Sequence, residues 1–280
     1  MKKLVLLLGI LLFTSGISFG SECSYQCVEP YDLNNPISTF FSKITGINFT
    51  RTKISESVLK KIISNSVKGG KLNVNIDSYS GKDLANGRFK SLIITGKDVS
   101  IDGIYLSSVE LKSLCEFNYL QYDKQGNVTF KEDFPMSFNI QMSSDDINKT
   151  MQSEKYQTLL KNMNKLSFAG VRIESTESSI RGNKFYYSMN IAIPFLKTQK
   201  IEIVGDLKVT DGRISLKDTR LSSNSKTMNL KKIDSIMSYI NPLDFSINIF
   251  NNKNAKLHVR NVAIKNNIII AEGIIVVPKD

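Results

Sequence analysis

The sequence predicts an α+β fold made mostly of antiparallel β-sheet, and three observations carry this prediction. Asp102-Gly103 and Asp211-Gly212 each stand between two runs of alternating apolar residues. Asp-Gly suits the two-residue turn of a β-hairpin, because glycine accepts a positive φ without a steric penalty. Three amphipathic helical patterns separate the groups of strands, and none of them has the spacing of a βαβ unit.

The first twenty residues have the pattern of a secretory signal peptide. Two lysines at positions 2 and 3 precede an apolar run over residues 4–13, and small residues follow at 18 and 20. This pattern predicts cleavage between Gly20 and Ser21, and the apolar run is too short for a membrane anchor. We therefore expect an exported protein that is periplasmic or associated with the cell envelope.

The mature chain is predicted to have an irregular segment over residues 21–50 and a single α+β domain over residues 51–280. Helices are expected from Lys53 to Val67, from Ser144 to about Met163, and from about Met228 to Ile240. Ser143 and the acidic residues that follow it supply a capping signal for the second helix. The first helix has an apolar face of Val58, Leu59, Ile62 and Ile63, and the third has one of Ile233, Ile236, Met237 and Ile240.

Alternating apolar residues predict the strands. In the first half they are Leu72, Val74 and Ile76; Leu92 and Ile94; Ile104 and Leu106; Val109 and Leu111; and Met136, Phe138, Ile140 and Met142. In the second half they are Phe185, Tyr187, Met189, Ile191 and Ile193; Ile201, Ile203, Leu207 and Val209; and Ile214 and Leu216. The change of parity at Ser107-Ser108 predicts a β-bulge. The last two strands, 256–264 and 268–277, are expected to form a hairpin buried on both faces.

Composition gives little sign of catalysis or of nucleic-acid binding. The chain carries a net charge of +11, but its lysines are scattered and form no basic stripe with aromatic residues. This charge suits either a solvated surface or peripheral contact with an anionic membrane surface. No nucleophile, phosphate-binding or zinc motif occurs, and the only histidine, His258, is expected to point to solvent from a strand. We predict no catalytic residue, no metal site, no cofactor and no enzymatic activity.

Three cysteines, at 23, 27 and 115, remain after signal cleavage. One disulfide is expected in an oxidising compartment, with one thiol left over. A Cys27–Cys115 bond would tie the N-terminal segment to the sheet, whereas a Cys23–Cys27 bond would close only a small loop.

Residues 87–109, which include the first Asp-Gly hairpin, resemble the signature of the LmeA-like phospholipid-binding proteins of bacterial envelopes. The acidic helix start at 145–148, the second hairpin at 206–216 and the Ile240-Asn241-Pro242 ending resemble the remaining parts of that family in order. The similarity covers about residues 54–277. It implies a tubular-lipid-binding type of architecture, with a strongly curved antiparallel sheet wrapped around or packed on long amphipathic helices and an apolar groove between them.

The resemblance implies an exported protein that binds phospholipid or another acyl-chain ligand. We expect the first and third helix faces named above to form the groove walls, and Leu92, Ile94, Phe138 and Ile140 to form its floor. Periodicity does not distinguish such a groove from a closed core. The alternative is a non-enzymatic structural or assembly module of the envelope that binds a protein partner.

Overall fold

The computed structural model describes residues 24–33, 67–101, 103–122, 128–166, 172–192, 194–195, 197–223, 241–243 and 255–280 of the chain. The helices are α1 (Gly81–Ala85), α2 (Ser144–Gln152) and α3 (Glu154–Leu166). The strands are β1 (Val67–Lys68), β2 (Lys71–Asp77), β3 (Arg88–Phe89), β4 (Ser91–Ile101), β5 (Ile104–Ser113), β6 (Asn118–Tyr122), β7 (Val128–Phe130), β8 (Phe134–Ser143), β9 (Arg172–Arg181), β10 (Lys184–Ala192), β11 (Gln199–Thr210), β12 (Arg213–Ser223), β13 (Lys256–Lys265) and β14 (Ile268–Val277).

The predicted antiparallel sheet is confirmed, and the described strands form three sheets. The largest sheet has seven strands in the order β1-β4-β5-β8-β14-β13, and β2 also pairs with β4. A second sheet has the order β12-β11-β10-β9, and a small third sheet has the order β3-β6-β7. Every described strand pair is antiparallel.

Two-residue turns join four pairs of neighbouring strands in the two larger sheets. The predicted turn at Asp211-Gly212 lies between the paired residues Thr210 and Arg213, and its two central residues have φ of 51° and 71°. Gly182-Asn183 and Asn266-Asn267 also have two positive φ values each. Positive φ at both central positions defines the turn whose twist matches that of the flanking strands. Ile101 also lies opposite Ile104, and Gly103 has a φ of 86°.

Near one end of the seven-stranded sheet, the regular alternation of buried and exposed residues is interrupted in neighbouring strands. Gly69 and Gly70, with φ of 71° and 59°, separate β1 from β2, and Asp98 in β4 has a φ of 53°. A Cβ on Gly70 would lie 2.0 Å from the carbonyl oxygen of Lys97, so glycine is required there. The same register between β4 and β5 continues through Asp98 and Ser107. The predicted bulge at Ser107-Ser108 is therefore wrong, because both strands change their buried side together and no residue is inserted.

The predicted helix from Ser144 to Met163 forms, but as two helices. The side chain of Ser143 caps α2 and accepts a hydrogen bond from the Asp146 backbone, while Asp146 bonds back to the Ser143 backbone. Ser153 interrupts the helix with an extended ψ of 149°. Its carbonyl oxygen then accepts a hydrogen bond of 2.9 Å from Gln157 in α3.

The expectation of long helices inside a strongly curved sheet is wrong for the part of the chain that the structure describes. The longest helix there is α3, with 13 residues, and both larger sheets are open, with separate edge strands. The expected helix faces at 58–63 and 233–240 lie outside the described residues. Val67, predicted to end the first helix, instead pairs with Ile101 in a strand.

The two larger sheets share one hydrophobic core. Helix α2 contacts β5 and β8 of the first sheet and β9 of the second. The Asp211-Gly212 turn also approaches β13, where the Val259 N–H donates to the Gly212 carbonyl oxygen at 2.9 Å. The His258 ring lies against this turn, since a Cβ on Gly212 would be 2.4 Å from its Nδ1. The side chain is half-buried, and the prediction that it points to solvent is therefore wrong.

The final hairpin is only partly buried on both sides. From Gly273 onward all described positions of β14 are buried, which agrees with the prediction. Before that point its exposure varies along the strand, and Glu272 is exposed. The β13 strand keeps several exposed or half-buried residues, because it forms an edge of the sheet.

Candidate functional site

The seven-stranded sheet carries a continuous apolar face across its width. Ile94 lies opposite Val74 on one side and Leu111 on the other. Leu111 lies opposite Phe138, and Phe138 lies opposite Gly273. Because directly opposite residues point to the same face, these side chains form one row from β2 to β8, and the Phe138 ring at its end lies over Gly273 of β14.

The four predicted floor residues all lie on this apolar face. Leu92 is opposite Ile76, and Ile140 is opposite both Val109 and Ala271. Leu92, Ile94, Phe138 and Ile140 are 3%, 2%, 4% and 3% exposed, respectively, and belong to the core. Sequence periodicity thus identified residues that the fold brings together, and their contact with a lipid stays a prediction.

The predicted wall residues lie outside the part of the chain that the structure describes. They are Val58, Leu59, Ile62 and Ile63 of the first helix face and Ile233, Ile236, Met237 and Ile240 of the third. The floor itself is closed, since its side chains have almost no solvent contact. An acyl chain would therefore reach the floor only if the groups that cover it moved apart.

The opposite face of the same sheet is polar over β5 and β8, whereas β14 has the buried residues Ile274 and Val276 on that face. Asn139 donates to Glu272 at 2.9 Å across β8 and β14, and Ser137 donates to the Lys112 carbonyl oxygen at 3.3 Å. Glu110 and Lys112 on β5 are exposed. The strands β5 and β8 therefore have one face that suits apolar contacts and one that suits water.

A pair of tyrosine hydroxyl groups is buried in the core beside the second sheet. The Tyr156 and Tyr187 oxygens lie 3.0 Å apart, and neither residue has measurable exposure. Burial raises the pKa of Tyr156 to about 12 and raises the pKa of Tyr187 well above its usual value of 10. One of the two hydroxyls donates to the other, and Thr176 is a further hydrogen-bond partner of both, so the pair is satisfied inside an apolar region.

The described N-terminal segment is held against a cluster of aromatic rings that sequence reasoning missed. A disulfide joins Cys27 to Cys115 across 88 residues, which is one of the two pairings that the sequence left open. Beyond it, the Tyr31 ring lies 5.1 Å from that of Phe117, and the Tyr31 hydroxyl donates to Glu132 at 2.6 Å. The aromatic residues in 117–119 gave the only sequence signal for this cluster.

A buried ion pair lies under the same segment. Arg88 is 4% exposed, and its Nε lies 3.7 Å from Oδ1 of Asp83, which is fully buried. Asp32 of the N-terminal segment adds a second ion pair to the Arg88 guanidinium, which also stacks 5.5 Å above the Tyr119 ring. These contacts position the segment on the small third sheet, because β3 contains Arg88 and β6 contains Tyr119.

Among the described residues, no group of three or more histidine, cysteine, aspartate or glutamate side chains is arranged to hold a metal ion. The same ranges contain no helix that is both long and apolar enough to cross a membrane. Searches of protein-family models, curated proteins and solved structures find no match to this chain.

Proposed function

We propose that the protein is an exported phospholipid-binding protein of the cell envelope that holds acyl chains against the apolar face of the seven-stranded sheet. The observation that carries the proposal is the row of apolar residues that crosses this sheet from β2 to β8. Such a row presents a broad apolar surface of the kind that acyl chains contact.

The export signal and the disulfide support the location. A signal-peptide pattern precedes the mature chain, and a Cys27–Cys115 bond is stable in an oxidising compartment. The resemblance of residues 87–109 to phospholipid-binding envelope proteins points to the same ligand class.

The floor and the walls would have different roles. Leu92, Ile94, Phe138 and Ile140 would contact the acyl chain after the cover over the sheet separates. The predicted helix faces would provide that cover, since their spacing of apolar residues suits packing across a sheet. In the absence of lipid, the same helix faces would close the core.

The test is the lipid content of the purified protein. Mature protein, residues 21–280, is purified from cells, extracted with organic solvent and examined by mass spectrometry. We expect about one phospholipid per protein chain, and exchange with phospholipid from added vesicles. An extract without lipid, and no uptake from vesicles, would favour the assembly module that binds a protein partner.

A matched pair of variants locates the ligand. Ile62→Asp places a charge on the predicted wall of the first helix, whereas Lys61→Asp places the same carboxylate on its predicted polar side. We expect Ile62→Asp to reduce bound lipid at least about tenfold and Lys61→Asp to leave it unchanged, because burying an unpaired carboxylate is costly. Equal lipid content in two folded variants would remove this helix face from the site.

A further inference from the structure

The loop between β10 and β11 carries a fully exposed aromatic ring. Phe195 is 106% exposed, whereas the other exposed large apolar residues in the described ranges reach at most 41%. Its φ of 65° lies in the left-handed region, which is unfavourable for a bulky side chain. The backbone therefore holds a large apolar group in water in a conformation that most residues avoid.

Pairing across the second sheet shows which groups share this end of the molecule. Ile191 lies opposite Ile173 on β9 and opposite Gln199 on β11. Asn164 of α3 donates to the Ile173 carbonyl oxygen at 2.9 Å and accepts from its N–H at 2.9 Å. The end of α3, the start of β9 and the loop with Phe195 therefore lie side by side.

Four basic residues lie at the same end of the second sheet as Phe195. Arg172 starts β9, Lys165 lies in the last turn of α3, and Lys197 and Lys200 follow Phe195 on the loop and on β11. All four are exposed. We call this group, together with Phe195, the basic tip.

Carboxylates close to the basic tip are engaged in other contacts. Glu174 accepts a hydrogen bond of 3.2 Å from the Thr198 hydroxyl, which fixes the loop to β9. Glu202 pairs with Arg181 at 3.7 Å. The Gln199 side chain donates to the Lys197 carbonyl oxygen at 2.8 Å and holds the stem of the loop. The Glu174 carboxylate keeps its negative charge, so the basic tip has four positive charges against one negative charge beside the exposed ring of Phe195.

We propose that the basic tip is a membrane-contact site that docks the protein on an anionic phospholipid surface. Phe195 enters the interfacial region of the bilayer, where a large aromatic ring is favourable, and the four basic residues lie over the anionic headgroups. Charge complementarity selects this partner, because the exposed ring and the exposed basic residues lie at the same end of the second sheet. The site is separate from the apolar face of the first sheet and does not require lipid inside the protein.

Vesicle binding tests the proposal with the mature protein. The probes are vesicles of phosphatidylglycerol and phosphatidylcholine in equal amounts, and vesicles of phosphatidylcholine alone. We expect binding to the anionic vesicles only, weakened by salt at about 0.5 M because exposed charges are screened. Phe195→Asn should lower the affinity about tenfold, since it removes the inserted ring.

A double substitution measures the charge contribution. Lys197→Gln with Lys200→Gln should lower affinity for the anionic vesicles about twenty-five-fold, since each basic residue near the surface contributes a factor of about five. Tyr105→Asn, at an exposed aromatic residue of the other sheet, and Lys97→Gln serve as matched controls and should bind as the unchanged protein does. Circular dichroism verifies that each variant is folded.

Three results would overturn the proposal: no binding of the unchanged protein to anionic vesicles, equal binding to both vesicle types, or unchanged affinity in folded Phe195→Asn. Each is separable from the proposed function, because the lipid extracted from the purified protein is measured independently. A protein that retains phospholipid but ignores vesicles would keep the interior site and lose the basic tip.

Discussion

The strand β11 ends at the Asp211-Gly212 turn, which lies against the other sheet. It begins after the exposed loop that contains Phe195. At the end with the turn, two glycines allow close contact with β13. Gly212 lies against the His258 ring, and Gly273 lies against the His258 carbonyl oxygen. The other end places the most exposed ring of the described chain in water. We call the Gly212–His258–Gly273 contact the docked end and the basic tip the free end.

The difference indicates that the two ends serve different requirements. The docked end joins the two larger sheets into one core. Its contacts need a close approach of the backbone, which only glycine allows. An exposed ring with an unfavourable φ adds nothing to that core. Stability should therefore depend strongly on small residues at the docked end and very little on the large residue at the free end.

The largest effect is expected at Gly273. A Cβ there would lie 2.1 Å from the His258 carbonyl oxygen and 2.7 Å from the Phe138 ring. Gly273→Ala should lower the free energy of unfolding by about 3 kcal/mol, because a strand backbone and a buried ring must both shift. Urea unfolding followed by circular dichroism measures this change.

A second substitution sharpens the Gly273 prediction. Phe138→Leu shortens the side chain over the glycine, so the double variant should lose less stability than the sum of the two single variants. Additive losses would show that the ring does not press on this position.

A smaller loss is expected at Gly212, where two causes combine. Alanine there would adopt a φ of 71° and would meet the His258 ring, which is a side chain that can shift. Gly212→Ala should cost about 2 kcal/mol. Gly182→Ala provides the control, since Gly182 has a φ of 56° but nothing within 4 Å of its would-be Cβ.

The control separates backbone strain from docking. Gly182→Ala should cost about 1 kcal/mol from φ alone, and the remaining difference belongs to the contact with His258. If the two alanine variants have the same thermal midpoint and the same unfolding free energy, the docked end contributes no contact energy.

Much of the sheet was predictable from local signals. Asp-Gly turns and period-two alternation identify β4, β5, β10, β11 and β12, because each signal depends on residues adjacent in sequence. The Gly182-Asn183 and Asn266-Asn267 turns carry comparable signals. By contrast, Gly69-Gly70 resembles a helix stop, although the structure uses it to interrupt an edge strand against Asp98.

The candidate sites show the same division. Alternation places Leu92, Ile94, Phe138 and Ile140 on one face, but whether that face is open depends on distant segments that cover it. The exposure of Phe195 was missed because Ile193 and its neighbours extend the apolar pattern of β10 in sequence. Only the pairing of Ala192 with Arg172, where β10 ends, shows that Phe195 lies beyond the sheet.

The smallest effect is expected at the free end, and it has the opposite sign. Asparagine tolerates a left-handed φ better than phenylalanine, so Phe195→Asn should raise the free energy of unfolding by about 0.5 kcal/mol. Phe195→Ala, which removes the ring without favouring that φ, should leave stability unchanged and serves as the control. Both variants are compared with the unchanged protein by urea unfolding. A loss above about 1 kcal/mol in either would show that the ring packs against the fold. A gain in stability together with weaker vesicle binding would show that Phe195 is held in an unfavourable conformation for the sake of membrane contact.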